Sequence, residues 1–216
     1  MNERDIVMRQ HIIAAVTACL IAAPAGALAD GALLGKIGTL GIGIEYVQPL
    51  SRFTAVRAVY NGGSLDEKGS ESGIDYDFDF KLRNAGVLLD WHPFAGVFFT
   101  SVGLLYNKNE LEARSTSSGT VTVGDGTYTD PDLKGEITFK TSAPYLGLGW
   151  GHAPQGRGLT MSLEIGVLYQ GSPQVKFTSS SNVDQADLDQ EAAELEGELD
   201  NYKYYPQFAF GIGYRF

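Results

Sequence analysis

The sequence predicts an all-β protein, an antiparallel up-and-down transmembrane β-barrel of about eight strands with a short acidic helix in its last long loop. Three observations predict it. Apolar side chains recur at every second position along most of the chain, several predicted strands are long enough to cross a bilayer, and short connections alternate with long ones. Because successive residues of a strand point to opposite faces, each strand has one apolar and one polar or small face.

The composition excludes several classes of protein. The 216 residues include 16 basic and 26 acidic side chains, a net charge of −10, so the dense basic surface that nucleic-acid binding requires is missing. The single Cys excludes a disulfide scaffold and every zinc site that needs several Cys ligands. We therefore expect no nucleic-acid partner, no cofactor and no metal site.

The first 29 residues have the pattern of a cleavable signal peptide. An apolar stretch at 12–22, too short to span a bilayer as a helix, is followed by Ala27-Leu28-Ala29, so we expect cleavage after Ala29 and a barrel domain over 30–216. Translation starts at Met1 or at Met8, and the second start gives the more typical charged segment. In an alternative interpretation, Cys19 is the lipidated residue of a lipoprotein.

Period-two alternation delimits seven strands. In the clearest one, the odd positions from Leu159 to Tyr169 are all apolar or aromatic, whereas most even positions are polar or small. An even strand number requires an eighth, for which 30–36 and 118–129 are the candidates, although 118–129 is more typical of a hairpin between strands. We expect a bulge at Pro144, where the apolar positions change parity, and a similar change of parity occurs near Asn84. The seven strands lie near 36–48, 52–62, 74–92, 96–115, 134–152, 157–179 and 203–216, and the long polar connections cover 63–73, 116–133 and 180–202.

Aromatic residues distinguish a membrane barrel from a soluble two-sheet sandwich, which shows the same alternation. Trp91 and Trp150 each stand at a strand end beside a short turn, where membrane barrels carry an aromatic girdle. The chain ends in an amphipathic strand, whose apolar row is the candidate assembly signal: Phe210, Ile212, Tyr214 and Phe216. Together with the export signal, these features favour the membrane barrel.

The Gly-rich strands carry a resemblance to a known class of proteins. Segments 40–43 and 145–150 and the closing segment 211–216 resemble the small outer-membrane β-barrels of Gram-negative bacteria, of the OmpA-barrel or OmpW kind. The resemblance implies residence in the cell outer membrane and contact with its lipids and lipopolysaccharide. It also implies that the barrel-assembly machinery recognises the terminal strand.

The polar faces predict the contents of the lumen. An eight-stranded barrel is just wide enough for its own side chains to fill it, and buried charges must be paired. The inward charges that we expect to form a network are Glu45, Arg57, Asp90, Glu164 and Arg215. This favours a structural, surface-exposed protein with a largely plugged lumen; the alternative is a narrow, porin-like passive channel for small solutes.

An outer-membrane enzyme is the least favoured function. Beyond the signal peptide the only histidines are His92 and His152, both in short turns, which outer-membrane barrels place on the periplasmic side. Outer-membrane lipases are similar to one another in placing their His–Ser pair near the outer leaflet instead. Segment 184–200 carries eight acidic residues and no basic one, which indicates a solvated lid or, alternatively, a patch for divalent cations.

Overall fold

The computed structural model describes residues 31–71, 74–115, 120–129, 131–151 and 156–216. The predicted signal peptide, including both possible start residues and Cys19, lies outside these ranges. Within them, no helix has the length and apolar character needed to span a membrane.

Thirteen strands, one α-helix and one 3-10 helix are formed by the described residues. The α-helix, α1, covers Gln185–Glu198 and the 3-10 helix covers Leu199–Lys203. The strands are β1 (Ala32–Gly38), β2 (Gly41–Pro49), β3 (Thr54–Glu71), β4 (Ile74–Trp91), β5 (Phe98–Asn107), β6 (Glu110–Ser115), β7 (Thr120–Val123), β8 (Gly126–Thr129), β9 (Leu133–Thr138), β10 (Ser142–Gly151), β11 (Gly158–Tyr169), β12 (Gln174–Ser179) and β13 (Tyr204–Arg215).

Eight of these strands close into an antiparallel barrel. The strands β1 to β5 follow one another, β10 and β11 come next, and β13 closes the barrel by pairing with both β11 and β1. The prediction of an eight-stranded barrel is confirmed. The eighth strand is β1, near the candidate at 30–36, whereas 118–129 contains the hairpin β7–β8. The predicted strand at 36–48 in fact crosses a turn between β1 and β2, where Gly41 has a φ of +90° that favours glycine.

The barrel wall is continued on one side by three further strands of the same sheet, beyond the end at which the long connections lie. There β4 exchanges its partner β5 for β6, and β6, β9 and β12 follow, giving the order β4-β6-β9-β12, which we call the extension sheet. Each of the predicted strands at 96–115, 134–152 and 157–179 therefore consists of two strands, one in the barrel and one in the extension sheet. The predicted loop 63–73 was wrong over most of its length, because β3 and β4 continue as a paired hairpin to Glu71 and Ile74.

The acidic helix α1 covers the outer edge of the extension sheet. Asp184 caps it by accepting a hydrogen bond from the backbone N–H of Ala186 at 3.0 Å. Glu196 accepts from the backbone N–H of Val175 on β12 at 2.9 Å, which satisfies a donor of the edge strand that no further strand pairs. The short helix predicted in the last long loop is confirmed.

The predicted bulge at Pro144 is wrong, and the change of parity near Asn84 involves no bulge either. The pairing of β3 with β4 runs without interruption through Asn84, and that of β10 with β5 runs without interruption through Pro144. Near Asn84 the apolar positions change parity because the inward face of β4 leaves the polar lumen and enters the extension sheet. The strand before Pro144 is interrupted, between the end of β9 at Thr138 and the start of β10 at Ser142.

The two faces of the barrel strands meet different surroundings. On β11, the side chain of Leu163 points outward and is 56% exposed, whereas that of its neighbour Glu164 points into the lumen and is 1% exposed. The other barrel strands repeat this pattern, with outward apolar rows and inward buried rows. A soluble sandwich would bury its apolar rows against each other, so the closed barrel with its exposed apolar belt excludes that alternative.

Candidate functional site

The centre of the lumen is occupied by five charged side chains in contact. Arg57 makes ion pairs with Glu45 at 3.0 Å, Asp90 at 2.6 Å and Glu164 at 2.8 Å. Lys36 pairs with Glu45 at 2.9 Å and with Glu164 at 2.7 Å. All five side chains are at most 2% exposed. Two cations therefore hold three carboxylates together, which is the arrangement that buried charges require.

Two hydroxyl groups extend this network. Ser101 donates to Asp90 at 2.6 Å and accepts from Arg57 at 2.8 Å, and Tyr145 donates to Glu164 at 2.8 Å. The Tyr145 ring is accommodated by a pair of glycines on facing strands. A Cβ atom would lie 2.3 Å from the Tyr145 hydroxyl at Gly147, and 2.2 Å from it at Gly166.

Apolar layers lie on both sides of the network along the barrel axis. On β3, Ala55, Arg57 and Val59 succeed one another on the inward face, and each belongs to a different layer. The layer toward the turns at 50–53 and 92–97, which we call the lower apolar layer, contains Ala32, Leu34, Val47 and Ala55. The layer toward the long connections, which we call the upper apolar layer, contains Leu40, Val59, Leu88, Leu105, Ala143, Tyr145 and Leu168. The charged network thus lies between two clusters of buried apolar residues along the barrel axis.

Four of the five charges predicted for the lumen meet in the network, namely Glu45, Arg57, Asp90 and Glu164. The fifth, Arg215, is buried on the inward face at the end of β13. Sequence reasoning missed three further members. Lys36 was taken as the first residue of a longer strand, and Ser101 and Tyr145 are inward residues that alternation alone does not single out.

The predicted aromatic residues lie on the outward face near the short turns. The Trp91 side chain is 56% exposed and that of Trp150 is 46% exposed. The ring of Trp150 lies 5.5 Å from that of Phe98. On the last strand, Phe210, Ile212 and Tyr214 also point outward, and the backbone N–H of Phe216 donates to the carbonyl of Gly31 at 3.0 Å.

The residues considered for catalysis and metal binding do not form a reactive site in the described part of the chain. His92 is buried, with Nδ1 2.9 Å from the carbonyl oxygen of Gly96 and its ring 5.6 Å from that of Phe99. His152 lies outside the described residues. Among the described residues, no three His, Cys, Asp or Glu side chains are grouped as a metal ion would need, and this includes the acidic residues of α1.

A charged cluster covers one face of the extension sheet. Glu112 on β6 is 2.6 Å from Lys81 on β4 and 3.1 Å from Lys134 on β9. The hydrogen bond from Lys81, together with those from Glu110 and Lys134, lowers the pKa of Glu112 to about 2. Two other cations of this region also have local partners: Lys203 pairs with Asp200 at 2.7 Å, and Lys108 lies over the ring of Tyr106.

The opposite face of the extension sheet borders a cavity at the barrel mouth. The cavity has a volume of about 360 Å³. Phe80, Leu111 and Ile137 of the extension sheet line one side, and Tyr202 and Pro206, next to the start of β13, line the other. Its lining also includes Leu82 and Tyr205, and Tyr205 packs on the upper apolar layer of the lumen. We call this space the mouth cavity; no pattern in the sequence pointed to it.

Comparisons with known proteins give the fold but no assigned function. No protein-family model and no curated protein matches the chain. Solved structures do match, including CarO of Acinetobacter baumannii, with 21% identity, a TM-score of 0.61, and coverage of 88% of this chain and 99% of that one. CarO2 of Acinetobacter baumannii matches with 19% identity, a TM-score of 0.60, and coverage of 87% and 98%. At these identities the likeness shows that the chain has the fold of a small Gram-negative outer-membrane β-barrel.

Proposed function

We propose that this chain is an integral outer-membrane protein with a structural role at the cell surface, and that its lumen does not conduct solutes. The observation that carries the proposal is the ion-pair network around Arg57, enclosed between two apolar layers. A conducting path would have to separate these pairs. Uncovering one buried charge costs about 3–5 kcal/mol, so thermal opening of the closed lumen is rare.

The orientation follows from the connections. Outer-membrane barrels have short periplasmic turns and longer extracellular loops. We infer that the turns at 50–53 and 92–97 face the periplasm, and that the extension sheet and α1 face the outside. The exposed apolar belt then lies in the hydrocarbon region, and the tryptophans near the short turns lie at the inner interface.

The proposal includes partners during and after assembly. The lipids of the outer membrane, lipopolysaccharide among them, would contact the outward apolar rows, and the assembly machinery would recognise the strand that ends at Phe216. A catalytic role forms no part of the proposal. His92 supports this choice, because its Nδ1 lies against the Gly96 carbonyl and its ring packs on Phe99 in the interior of the protein.

Reconstitution in planar lipid bilayers tests the proposal against a narrow passive channel. Insertion is checked first by gel migration, since a closed barrel should migrate differently before and after boiling. We expect no discrete conductance steps from the inserted protein, even at high protein load. Reproducible single-channel steps from the unmodified chain would contradict the closed lumen and establish the channel.

A further inference from the structure

Three exposed basic side chains form a row across neighbouring strands. Arg83 lies on β4, Lys108 directly follows β5, and Lys140 lies just before β10. The backbone N–H of Lys108 donates to the carbonyl of Arg83 at 2.8 Å, and that of Asn107 donates to the carbonyl of Thr141 at 2.7 Å. These bonds continue the pairing of β4 with β5 and of β5 with β10. The three residues therefore occupy one level of the wall, and we call them the cation row.

The cation row faces the same way as the apolar belt. Arg83 shares its face of β4 with Trp91, which is 56% exposed. The ammonium group of Lys108 lies 5.9 Å from the centre of the outward Tyr106 ring. Lys140 is two positions before Ser142, which is exposed and is the register partner of Tyr106. The row thus continues the surface that the barrel presents to lipid.

The distance from the short turns places the row at the outer interface. On β5, ten positions separate Lys108 from Phe98 (108 − 98), and the ring of Phe98 lies 5.5 Å from that of Trp150 in the inner aromatic girdle. At a strand rise of about 3.4 Å and a tilt of about 40°, this is roughly 25 Å along the membrane normal, the height of the apolar band in outer-membrane barrels. Tyr60 and Tyr106, one level closer to the turns, have the position of the outer girdle.

The charge of the row is not neutralised by the part of the chain that the structure describes. Farther from the belt, Lys81 and Lys134 pair with Glu112 at 2.6 Å and 3.1 Å. No carboxylate oxygen of the described residues lies within 4.0 Å of the nitrogen atoms of the cation row. The whole chain has a net charge of −10, which repels anionic surfaces, so the row is a local exception at the membrane boundary.

We propose that the cation row binds the phosphate groups of lipopolysaccharide in the outer leaflet. The proposal rests on the outer-membrane location and the orientation proposed above. Arg83 can donate two parallel hydrogen bonds to one phosphate, and the two lysines supply further positive charge. Gly62, the register partner of Arg83, has no side chain and leaves the guanidinium open on that side. The acyl chains of the same lipid then lie along the apolar belt.

The spacing of the row favours a lipid with more than one phosphate. Neighbouring strands lie about 4.8 Å apart, so the three residues are spread over roughly 10 Å. Lipid A, the membrane part of lipopolysaccharide, carries phosphates at both ends of its pair of sugars. It therefore combines separated negative charges with several acyl chains, and both features match the surface of the barrel at this level.

Binding of purified lipid A to the full-length protein tests the proposal. The protein is held in micelles of a neutral detergent, and binding is measured by native mass spectrometry. We expect saturable binding of diphosphorylated lipid A and at least about tenfold weaker binding of lipid A without phosphates, because charge-assisted hydrogen bonds are lost. Inorganic phosphate should not displace the lipid, since it cannot use the apolar belt.

Two triple variants provide the matched comparison. The test variant combines Arg83→Gln, Lys108→Gln and Lys140→Gln, and should bind diphosphorylated lipid A at least about tenfold more weakly. The control loses the same charge from the same outward face, beyond the row, and should keep its affinity; it combines Lys81→Gln, Lys134→Gln and Lys176→Gln.

Heat-modifiable gel migration shows that each protein is a folded barrel before binding is measured. The lipid proposal is overturned by undiminished binding to the folded test variant, by an equal loss in the control, by equal binding of phosphate-free lipid A, or by displacement with inorganic phosphate. Any of these results leaves the outer-membrane barrel intact. An unmodified chain that shows no heat-modifiable migration would instead contradict the function proposed above.

Discussion

The lumen and the mouth cavity lie along the same face of β4, yet they are built from opposite chemistry. Within the barrel, that face presents Asp90, whose carboxylate is paired with Arg57 at 2.6 Å. Beyond the barrel, it presents Phe80 and Leu82, which line the mouth cavity. The pairing of β3 with β4 is continuous between the two regions, so backbone geometry does not account for the difference. The change of partner from β5 to β6 accounts for the difference, because beyond it β4 belongs to the open extension sheet and no longer to the closed barrel wall.

The lumen and the mouth cavity should differ in how much they contribute to the stability of the fold. In the lumen, the five charges of the network are paired and lie between two clusters of buried apolar residues, which favours a single closed arrangement. In the mouth cavity, the walls are mostly apolar side chains, among them Phe80, Leu111 and Ile137. Substitutions in the lumen should therefore affect folding strongly, and changes near the mouth should affect it weakly.

The largest effect is expected from Arg57→Leu. It leaves three buried carboxylates without the guanidinium that they share, and should lower the free energy of unfolding by about 3–5 kcal/mol. Urea titration of the barrel in lipid vesicles, read by gel migration, measures this change. The control is Arg52→Leu, whose exposed guanidinium lies 4.6 Å from the Phe53 ring and should cost under about 1 kcal/mol. Equal costs would mean that the network is not buried.

Leu163→Arg tests the outward face of the barrel around the lumen. If Leu163 lies near the middle of the bilayer, the arginine should cost about 2–4 kcal/mol in the same urea titration. Gln174→Arg, on the exposed edge strand β12, should cost about 0.5 kcal/mol or less. An arginine tolerated equally at both positions would show that the apolar belt meets water.

Gly166→Ala tests how closely the charged layer is packed. The added methyl group would approach the Tyr145 hydroxyl to 2.2 Å, and overpacking of this kind costs about 1–3 kcal/mol. The matched substitution is Gly197→Ala in α1, where nothing lies within 4 Å of an added Cβ. There alanine should stabilise the helix by about 0.5–1 kcal/mol. A neutral Gly166→Ala would mean that the lumen has spare room around Tyr145.

The smallest effect is expected from acid at the extension sheet. Its ion pairs lower the pKa of Glu112 from 4.5 to about 2, so they stabilise the sheet fully above pH 4.5, and this stabilisation is lost as the pH falls through 2. The contribution is small, because the Lys81 side chain is 44% exposed and water screens its attraction to Glu112. Hydrogen-exchange protection of β6 and β9 should fall over this interval in the unmodified protein. The fall should be absent from Glu112→Gln, and an identical fall in that variant would contradict the assignment.

The closed barrel could be predicted from the sequence, because alternation and connection length are local properties. The extension sheet could not, since alternation continues through Asn107 to Glu110 and does not reveal that β4 changes its partner there. Lys36 was missed for a related reason. The tight turn at Thr39 and Leu40 lies between apolar residues, and the pattern does not mark it as a break.

The mouth cavity depends on contacts between segments far apart in sequence. Leu111 and Tyr202 line the same space although 91 positions separate them (202 − 111). No local pattern encodes such relations, so this site was accessible only from the structure.

Thiol accessibility at one position in each region tests the central claim most directly. Leu111→Cys in the mouth cavity and Ala143→Cys in the upper apolar layer are each introduced into a Cys19→Ser background and exposed to a charged, water-soluble thiol reagent. We expect the cysteine at 111 to react readily and the one at 143 to react at least about a hundredfold more slowly. Similar, rapid modification of both would show that water runs continuously from the mouth into the barrel, and would contradict a closed lumen beneath an open site.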